Sequence, residues 1–499
     1  MNGRRLGRKG FLASLAGAVA APGILRGGGR PAPLKLAVAS DIHIAGDIEA
    51  NMWEKALLAY RDWGADAVLV CGDLADWGVI PQLKRAAEIW FKVFPGGRRP
   101  DGSKVVNLLH YGDHDMCGYK YRSIRKCVET YPDVAEMDKV IIPLNNPKAV
   151  WEDCFQEEWT RLAHRNVKGW DFVLSHFTRG EPGNLKGNNV PGLAGFLASL
   201  DLPKDHPFFY SQHRIPRGTA GGKYIWGQDD GTVGGLFASR YPNCFAFCGH
   251  GHLTSADERA LWQGAFTALE VPSLRRCGTG RGRENGSTCG DRPRDRPPVQ
   301  MMAKLDNSRS QQGLFVTINA EGATIKRWHF GDDASMGHDW HVPFHAAGGK
   351  PYAPSYRAAH DPVPQFAADA SVAVSAPKPL PDCLGKIHDM YVVSFPAVKS
   401  SATAPRADDY SVALEMKRGE VERVLMERRV FAPDYVKAEA AGPVTVSCNF
   451  PVADVPMDQE VRFTVRPLNA FARRGAPIST EWGVLRKKTS AISKTPKRG

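Results

Sequence analysis

Short apolar runs alternate with amphipathic stretches through the first two-thirds of the chain. Residues 34–40 (Leu-Lys-Leu-Ala-Val-Ala-Ser) alternate apolar and other positions, which predicts a strand. Residues 47–63 carry Met52, Ala56, Tyr60 and Trp63 at helical spacing with Leu57 beside them, which predicts a helix packed on a sheet. A buried strand is predicted over 66–71. The turn Gly72-Asp73 follows it and leaves one carboxylate at the strand's C-terminal edge, the edge where open α/β sheets bind ligands. A helix over 81–94, broken by Pro95-Gly96-Gly97, and a strand over 104–110 complete a strand–helix–strand–helix–strand order. That order predicts a layered α/β sheet.

Further along, 116–168 is mixed and tryptophan-rich and reads as helices and loops covering a site. Strands are predicted at 171–175, 207–212, 243–248 and 266–271, with helices near 191–200 and 232–240 and a Gly/Asn/Pro loop over 181–192. Residues 278–298 read as a surface loop, and 314–319 with 323–328 as a closing hairpin. Residues 331–380, rich in Ala, Pro and His, read as a linker. Beyond 381 the texture changes to short strands (390–395, 410–415, 444–448, 460–465) separated by turn residues, as in a β-sandwich. The expected organisation is a leader over 1–30, an α/β domain over 31–330, a linker over 331–380, a β-sandwich over 381–482, and a basic, disordered tail over 483–499.

Charge changes this picture at the two ends. The net charge of +12 is carried by six cations and no acid in the first 30 residues, and six cations and no acid in the last fourteen. The body is therefore near neutral, and specific nucleic-acid binding loses its support. The Arg-rich loop 275–296 is interleaved with Glu284, Asp291 and Asp295 and lacks aromatic residues for base stacking, so it reads as solvated. At the N-terminus, Arg4-Arg5-Leu6-Gly7-Arg8-Lys9 precedes a mildly apolar run of fifteen residues, 11–25, with Ala18-Val19-Ala20 as small residues for cleavage. That run is short for a membrane span. Arg8-Lys9-Gly10-Phe11-Leu12 resembles a twin-arginine export signal, which predicts a periplasmic or otherwise exported protein with no transmembrane anchor once the signal is removed. Ten cysteines include no CxxC pair. Cys277 with Cys289, or Cys117 with Cys127, are candidate disulfides in an oxidising compartment.

Five segments share one layout, a buried strand followed at once by metal-capable side chains: Asp41-x-His43, Gly72-Asp73, Gly112-Asp113-His114-Asp115, Gln212-His213 and Gly249-His250-Gly251-His252. A lone DxH or GHxH is most often a capped turn. Five in order, each at a strand end, can converge on one sheet edge. Mixed imidazole and carboxylate donors suit Mn, Fe or Zn rather than Ca. Seven ligands around one shared carboxylate are too many for one tetrahedral ion and fit two.

This ordered set resembles the signature of the calcineurin-like metallophosphoesterases (DxH, GD, GNH(D/E), H, GHxH) over roughly residues 34–330. The resemblance implies a four-layer α-β-β-α sandwich and two divalent or trivalent transition-metal ions, Mn, Fe or Zn. It implies one metal on Asp41, His43, Asp73 and His252, and the other on Asp73, Asp113, His213 and His250. His213, in a strand-end His-x-x-Pro context, is preferred over His176 as the lone His. His114 would contact a phosphoryl oxygen or protonate the leaving group, with Asp115 orienting its ring. The implied activity is hydrolysis of a phosphate mono- or diester, from a small-molecule or lipid substrate, by a hydroxide held between the two ions. His176, Arg179, Asn189 and Arg214 are candidate substrate contacts. One departure is Asp113, which stands where the family usually has Asn. Its added charge should hold metals more tightly and oppose a phosphate dianion. The C-terminal segment, with Phe463-Thr-Val-Arg-Pro-Leu-Asn-Ala-Phe-Ala-Arg-Arg-Gly475 as a last hairpin, resembles a fibronectin type III module. The alternative from another class is a metal-containing binding or scaffold protein whose working surface is the sandwich.

Overall fold

Strand β1 (Leu34–Ala39) is apolar on both faces, and the two faces enter different cores. Leu34, Leu36 and Val38 join one cluster, and Ala37 and Ala39 another. Strand β2 (Ala67–Val70) divides in the same way, with Ala67 and Leu69 on the first side and Val68 and Val70 on the second. Period-two geometry produces this split, and a strand buried on both faces needs cover on both.

The computed structural model describes residues 31–485 apart from 119–124, 179–191, 203, 205–206, 223–224, 288–298, 345–348, 400–404 and 439–442. The expected leader, Arg179, Asn189, Cys289 and residues 486–499 lie outside the described residues.

After β1 and β2 come β3 (Val106–Leu109), β4 (Leu162–Val167), β5 (Trp170–Ser175), β6 (Phe208–Gln212), β7 (Cys244–Cys248), β8 (Leu261–Gln263) and β9 (Thr267–Glu270). They are followed by β10 (Gln312–Ile318), β11 (Gly322–His329), β12 (Ala334–Ser335) and β13 (Trp340–Pro343). One sheet runs β12-β11-β10-β1-β2-β3, with β13 also on β11; the other runs β4-β5-β6-β7-β9-β8. Their facing sides interdigitate Leu36, Leu69, Leu108, Phe172, Phe209, Phe247, Leu314 and Trp340. Helices α1 (Asp47–Trp63) and α2 (Ile80–Val93) cover the outer face of the first sheet through Trp53, Leu57, Leu83 and Trp90. Helices α3 (Leu193–Ser199) and α4 (Thr232–Arg240) cover the second through Leu197 and Phe237. The layers are therefore α-β-β-α. Strands β1, β2 and β3 are mutually parallel, as are β5, β6, β7 and β9, and the C-terminal ends of both sets carry the ligand motifs.

Two parts differ from the sequence expectation. Strand β4 lies in the stretch read as helix and loop; it pairs antiparallel with β5 at a sheet edge, where its residues His164, Arg165 and Asn166 hide the apolar alternation. Within the expected linker, β12 and β13 extend the first sheet and bury Trp340.

The C-terminal region forms two antiparallel sheets. One holds β14 (Ala373–Val374), β15 (Lys378–Pro381), β16 (Ile387–Pro396) and β19 (Thr445–Pro451). The other holds β17 (Asp409–Arg418), β18 (Val421–Phe431), β20 (Glu460–Leu468) and two short strands. They enclose Tyr391, Val393, Tyr410, Leu414, Phe450 and Phe463 as a core of their own. This sandwich docks on the α/β layers through specific bonds. Asn285 Oδ1 accepts from Phe431 N at 2.7 Å, and Tyr435 Oη donates to Asp257 Oδ2 at 3.2 Å. Cys277, Phe431, Tyr435 and Val436 form an apolar patch beside them.

Cys117, Cys127 and Cys277 are thiols, so neither candidate disulfide of the sequence reading forms; Cys383 is the disulfide-bonded cysteine among the described residues. The Cys127 sulfur sits 3.9 Å from Met137 Sδ, inside an apolar cluster.

The seam holds a proton-sensitive group. Asp408 is buried beside Asp257, Arg259, Asp409 and Arg283; burial first, and then the charge of Asp257, lifts its carboxyl to about 8. Unfolded, it ionises near pH 4. The folded chain therefore holds the extra proton between roughly pH 4 and 8, and stability falls as pH rises through that window. Asp408→Asn should leave thermal stability at pH 4 unchanged and raise it at pH 8 by at least about 2 °C. Melting curves at the two pH values check this.

Candidate metal centre

Each ligand loop leaves the C-terminal end of a parallel strand and turns sharply. Asp41, His43, Asp73, His250 and His252 all have left-handed backbones, with φ of 52°, 49°, 57°, 70° and 53°. Non-glycine residues take that conformation at a cost, and such strain persists where surrounding structure fixes it, often at functional sites. Backbone bonds fix it here: His43 N donates to Asp73 O at 2.9 Å, and Asp41 N to Gly72 O at 3.1 Å. Gly112 permits a close approach of the two turns, since a Cβ there would lie 2.1 Å from Asp73 Oδ1.

The turns bring seven side chains into one buried pocket as two groups, Asp41–His43–His252 and Asp73–Asp113–His213–His250. In the first, His252 Nε2 stands 3.2 Å from Asp41 Oδ1 and 3.2 Å from His43 Nε2. In the second, His213 Nε2 stands 3.3 Å from Asp113 Oδ1 and 3.1 Å from His250 Nδ1. One atom of the second group also faces the first. Asp73 Oδ2 is 3.5 Å from His43 Nε2 and 3.2 Å from His213 Nε2. The other oxygen of Asp73 is engaged elsewhere, accepting from His114 N at 2.8 Å.

The α-β-β-α layers and this ligand set are what the sequence resemblance to the calcineurin-like metallophosphoesterases implies.

Solved structures offer distant likenesses. A dimetal phosphatase from Danio rerio is 10% identical, matching 62% of this chain and 99% of its own, with a TM-score of 0.35. A purple acid phosphatase from yellow lupin (Lupinus luteus) seeds is 11% identical, matching 63% of this chain and 54% of its own, with a TM-score of 0.36. The protein described as the anchor in the inner membrane complex of Plasmodium is 11% identical, matching 62% and 89%, with a TM-score of 0.35. No family model and no curated protein matches the chain. At such identities the likeness concerns fold alone, and the chemistry has to come from this chain's own donors.

Those donors fit metal ions. Bonds of about 2.0–2.2 Å place neighbouring ligand atoms roughly 2.8–3.6 Å apart in tetrahedral or octahedral shells. The inward donors of this pocket stand 3.1–3.6 Å apart. Asp41 Oδ1 and Asp113 Oδ1 are buried and have no hydrogen-bond partner. A buried lone pair with no donor is costly, and a cation is the missing partner that satisfies it. The imidazoles are turned for the same task. His213 Nδ1 donates to Cys71 O at 2.7 Å and His252 Nδ1 to Arg276 O at 2.9 Å, so each keeps its Nε2 lone pair facing inward. Burial opposes charge on His43, but the neighbouring carboxylates of Asp41, Asp76 and Asp73 lift it to about 10. The carboxylates thus make the pocket strongly attractive to positive charge.

Asp76 and Arg275 belong to this shell, although the sequence reading passed over them. The Asp76 carboxylate lies 3.2 Å from His43 Nδ1 and is held by the Arg275 guanidinium. Burial raises its carboxyl, and His43 and Arg275 override that to bring it to about 2. Its backbone oxygen accepts from His114 Nδ1 at 2.7 Å, which turns His114 Nε2 away from that bond. The spacing Gly72-Asp73-Leu74-Ala75-Asp76 was the available signal: a second acid one turn beyond the shared one.

Asp115 corrects the sequence reading. It was expected to orient the His114 ring, but its carboxylate accepts from the backbone N–H groups of Ala75 at 2.7 Å, Gly112 at 2.7 Å and Leu74 at 3.2 Å. It ties the Asp73 turn to the Asp113 turn, and Asp76 holds the ring. Burial and the charge of Asp73 raise its carboxyl to about 7 against those three bonds.

His176 is also corrected. It is buried among Tyr111, Trp151 and Trp159, and its Nδ1 accepts from Tyr111 N at 3.1 Å and Trp159 Nε1 at 3.0 Å. Burial drives its basicity well down, so it is a neutral core residue rather than a substrate contact. Arg214 reaches the site, but its guanidinium lies 3.2 Å from Asp113 Oδ2 and 5.5 Å from the Phe177 ring. The extra negative charge of Asp113 is therefore met by an adjacent cation, which blunts the expected repulsion of a phosphate dianion.

Proposed function

We propose that this protein is an exported phosphoesterase that uses two metal ions to hydrolyse a small phosphate mono- or diester. The observation that carries the reading is Asp73 Oδ2, one oxygen facing the imidazole nitrogens of both donor groups. Asp41, His43, Asp73 and His252 would hold one ion, and Asp73, Asp113, His213 and His250 the other. Mn, Fe or Zn suits these donors. When bound, such a pair supplies an activated water and draws charge from phosphoryl oxygens.

The chain's own residues supply the rest. His114, with its side chain 28% exposed, sits at the mouth, and its ring stands edge-on to His43 at 4.3 Å. With Nδ1 bonded to the Asp76 carbonyl, Nε2 would be the ring nitrogen that meets a phosphoryl or leaving-group oxygen. Asp115 keeps the Asp73 and Asp113 turns in register, and Arg214 balances Asp113. Together these groups would orient the phosphoryl group.

The basic leader and the Cys383 disulfide both support export to an oxidising compartment, by the twin-arginine route. Among the described residues no helix is long and apolar enough to cross a membrane. The β-sandwich is read as a fibronectin type III-like module that holds the catalytic layers in place.

Hydrolysis of p-nitrophenyl phosphate and bis(p-nitrophenyl) phosphate, with Mn added, tests the activity. The expected result is turnover of at least one ester that is abolished by chelation and restored by metal. No turnover of either, with two metals bound per chain, would favour the scaffold reading.

A further inference from the structure

We infer that Trp226 is a stacking platform beside the metal centre for a planar ring that the phosphoester carries on a spacer, as in a nucleotide. The inference rests on the phosphoesterase reading and names the substrate class for that site.

Trp53, Trp90, Trp151, Trp170 and Trp340 are fully buried, whereas Trp226 is 58% exposed. Among the described residues it joins no apolar core. Its ring lies flat on the imidazole of His250, 4.5 Å between centroids and 19° between planes. With one face covered by His250, exposure of that size leaves the opposite face open to solvent. A large apolar side chain held open next to a polar pocket is a ready surface for a ring.

The placement is built into the loop. Gly227 has φ of 89°, and a Cβ there would meet His250 Cδ2 at 2.3 Å, so the backbone is pressed directly against the ligand ring. Asp229 then anchors the loop from below. Its Oδ1 accepts from Arg217 N at 2.9 Å and Gly231 N at 2.8 Å, and its Oδ2 from Gln212 Nε2 at 3.0 Å. Gln228 bridges to Ile215, two residues beyond His213. The segments that carry His213, Trp226 and His250 are thus tied together, and the tryptophan is pre-positioned. A preformed platform binds without first losing side-chain freedom.

Distance selects the ligand. A ring stacked on the open face stands roughly 9 Å from the His250 ring, two stacking steps away. That is too far for a ring bonded directly to the ester oxygen of a phosphoryl group held at Asp113 and His250. It is within reach of a ring carried on a sugar-length spacer. A base is also the ring type that stacks on tryptophan irrespective of its hydrogen-bonding edge.

The test uses metal-loaded, full-length protein and two non-hydrolysable probes: the analogues of adenosine 5′-monophosphate and of ribose 5-phosphate with CH2 in place of the ester oxygen. Calorimetry should show the adenosine probe binding at least about fivefold more tightly than the ribose probe. Trp226→Leu should bring the two affinities together with metal content maintained, and Trp226→Phe should keep most of the difference. Equal affinities in the wild type, or a ratio unchanged in Trp226→Leu, would overturn the inference. So would parallel loss of both probes and of metal, which would make Trp226 only a shield for His250. Failure of the phosphoesterase reading is separate: it would show as no turnover of the chromogenic esters by the wild type.

Discussion

Asp73→Asn should empty or scramble both metal sites and lower kcat/KM by roughly a thousandfold or more, a loss of about 4 kcal/mol in transition-state stabilisation. The physical reason lies in the two oxygens of Asp73. Oδ1 accepts from His114 N at 2.8 Å, and Oδ2 faces both donor groups. An amide has one oxygen. If that oxygen keeps the His114 bond, the NH2 points at the ions; if the amide flips, the NH2 faces the His114 N–H. Either way a donor stands where an acceptor is needed. The fold should survive, because asparagine tolerates the left-handed backbone that Asp73 adopts. Elemental analysis after gel filtration, with circular dichroism as the folding control, checks this outcome. Retention of two metals and full activity would remove Asp73 from its central place.

His114→Ala should act differently: metals retained, and kcat lower by about 10²–10⁴. His114 lies outside the two donor groups that hold Asp73 and the other six ligands, and it meets the site through its partly exposed ring. Asp76→Asn provides the contrast. The bond to His114 comes from the Asp76 backbone oxygen and would remain, whereas the bond to His43 comes from its side chain. That variant should therefore lose metal affinity, about 10- to 100-fold, before it loses kcat at saturating metal. Metal titrations paired with single-turnover rates separate the two outcomes. Equal loss of metal in both variants would mean that His114 is itself a ligand, as its grouping with His43 and Asp76 permits.

Much of this was readable in the residues, for a physical reason. Buried parallel strands have short apolar runs, and the loops leaving them must place polar groups at one edge. The order of five such ends therefore predicted a common pocket, and Asp41, His43, Asp73, Asp113, His213, His250 and His252 do share one. What stayed hidden depended on which atom of a residue does the work. Asp115 bonds backbone amides, and Asp76 offers His114 a carbonyl, and neither fact leaves a trace in side-chain spacing. His176 ends a strand as His213 does, but its surroundings are three aromatic rings brought from distant segments. Strand β4 was missed because edge strands tolerate polar residues on both faces. The tryptophan on His250 was missed because its partner is distant in sequence and its exposure is a property of the folded surface.

The central claim is that one carboxylate oxygen joins two metal sites. Crystals of the Mn- or Zn-loaded protein, measured across the metal's absorption edge, test it most directly. The account predicts two anomalous peaks about 3.5–4 Å apart, one beside His43 and His252 and one beside His213 and His250, with Asp73 Oδ2 between them. A single peak, or two peaks of which one does not touch Asp73, would contradict it.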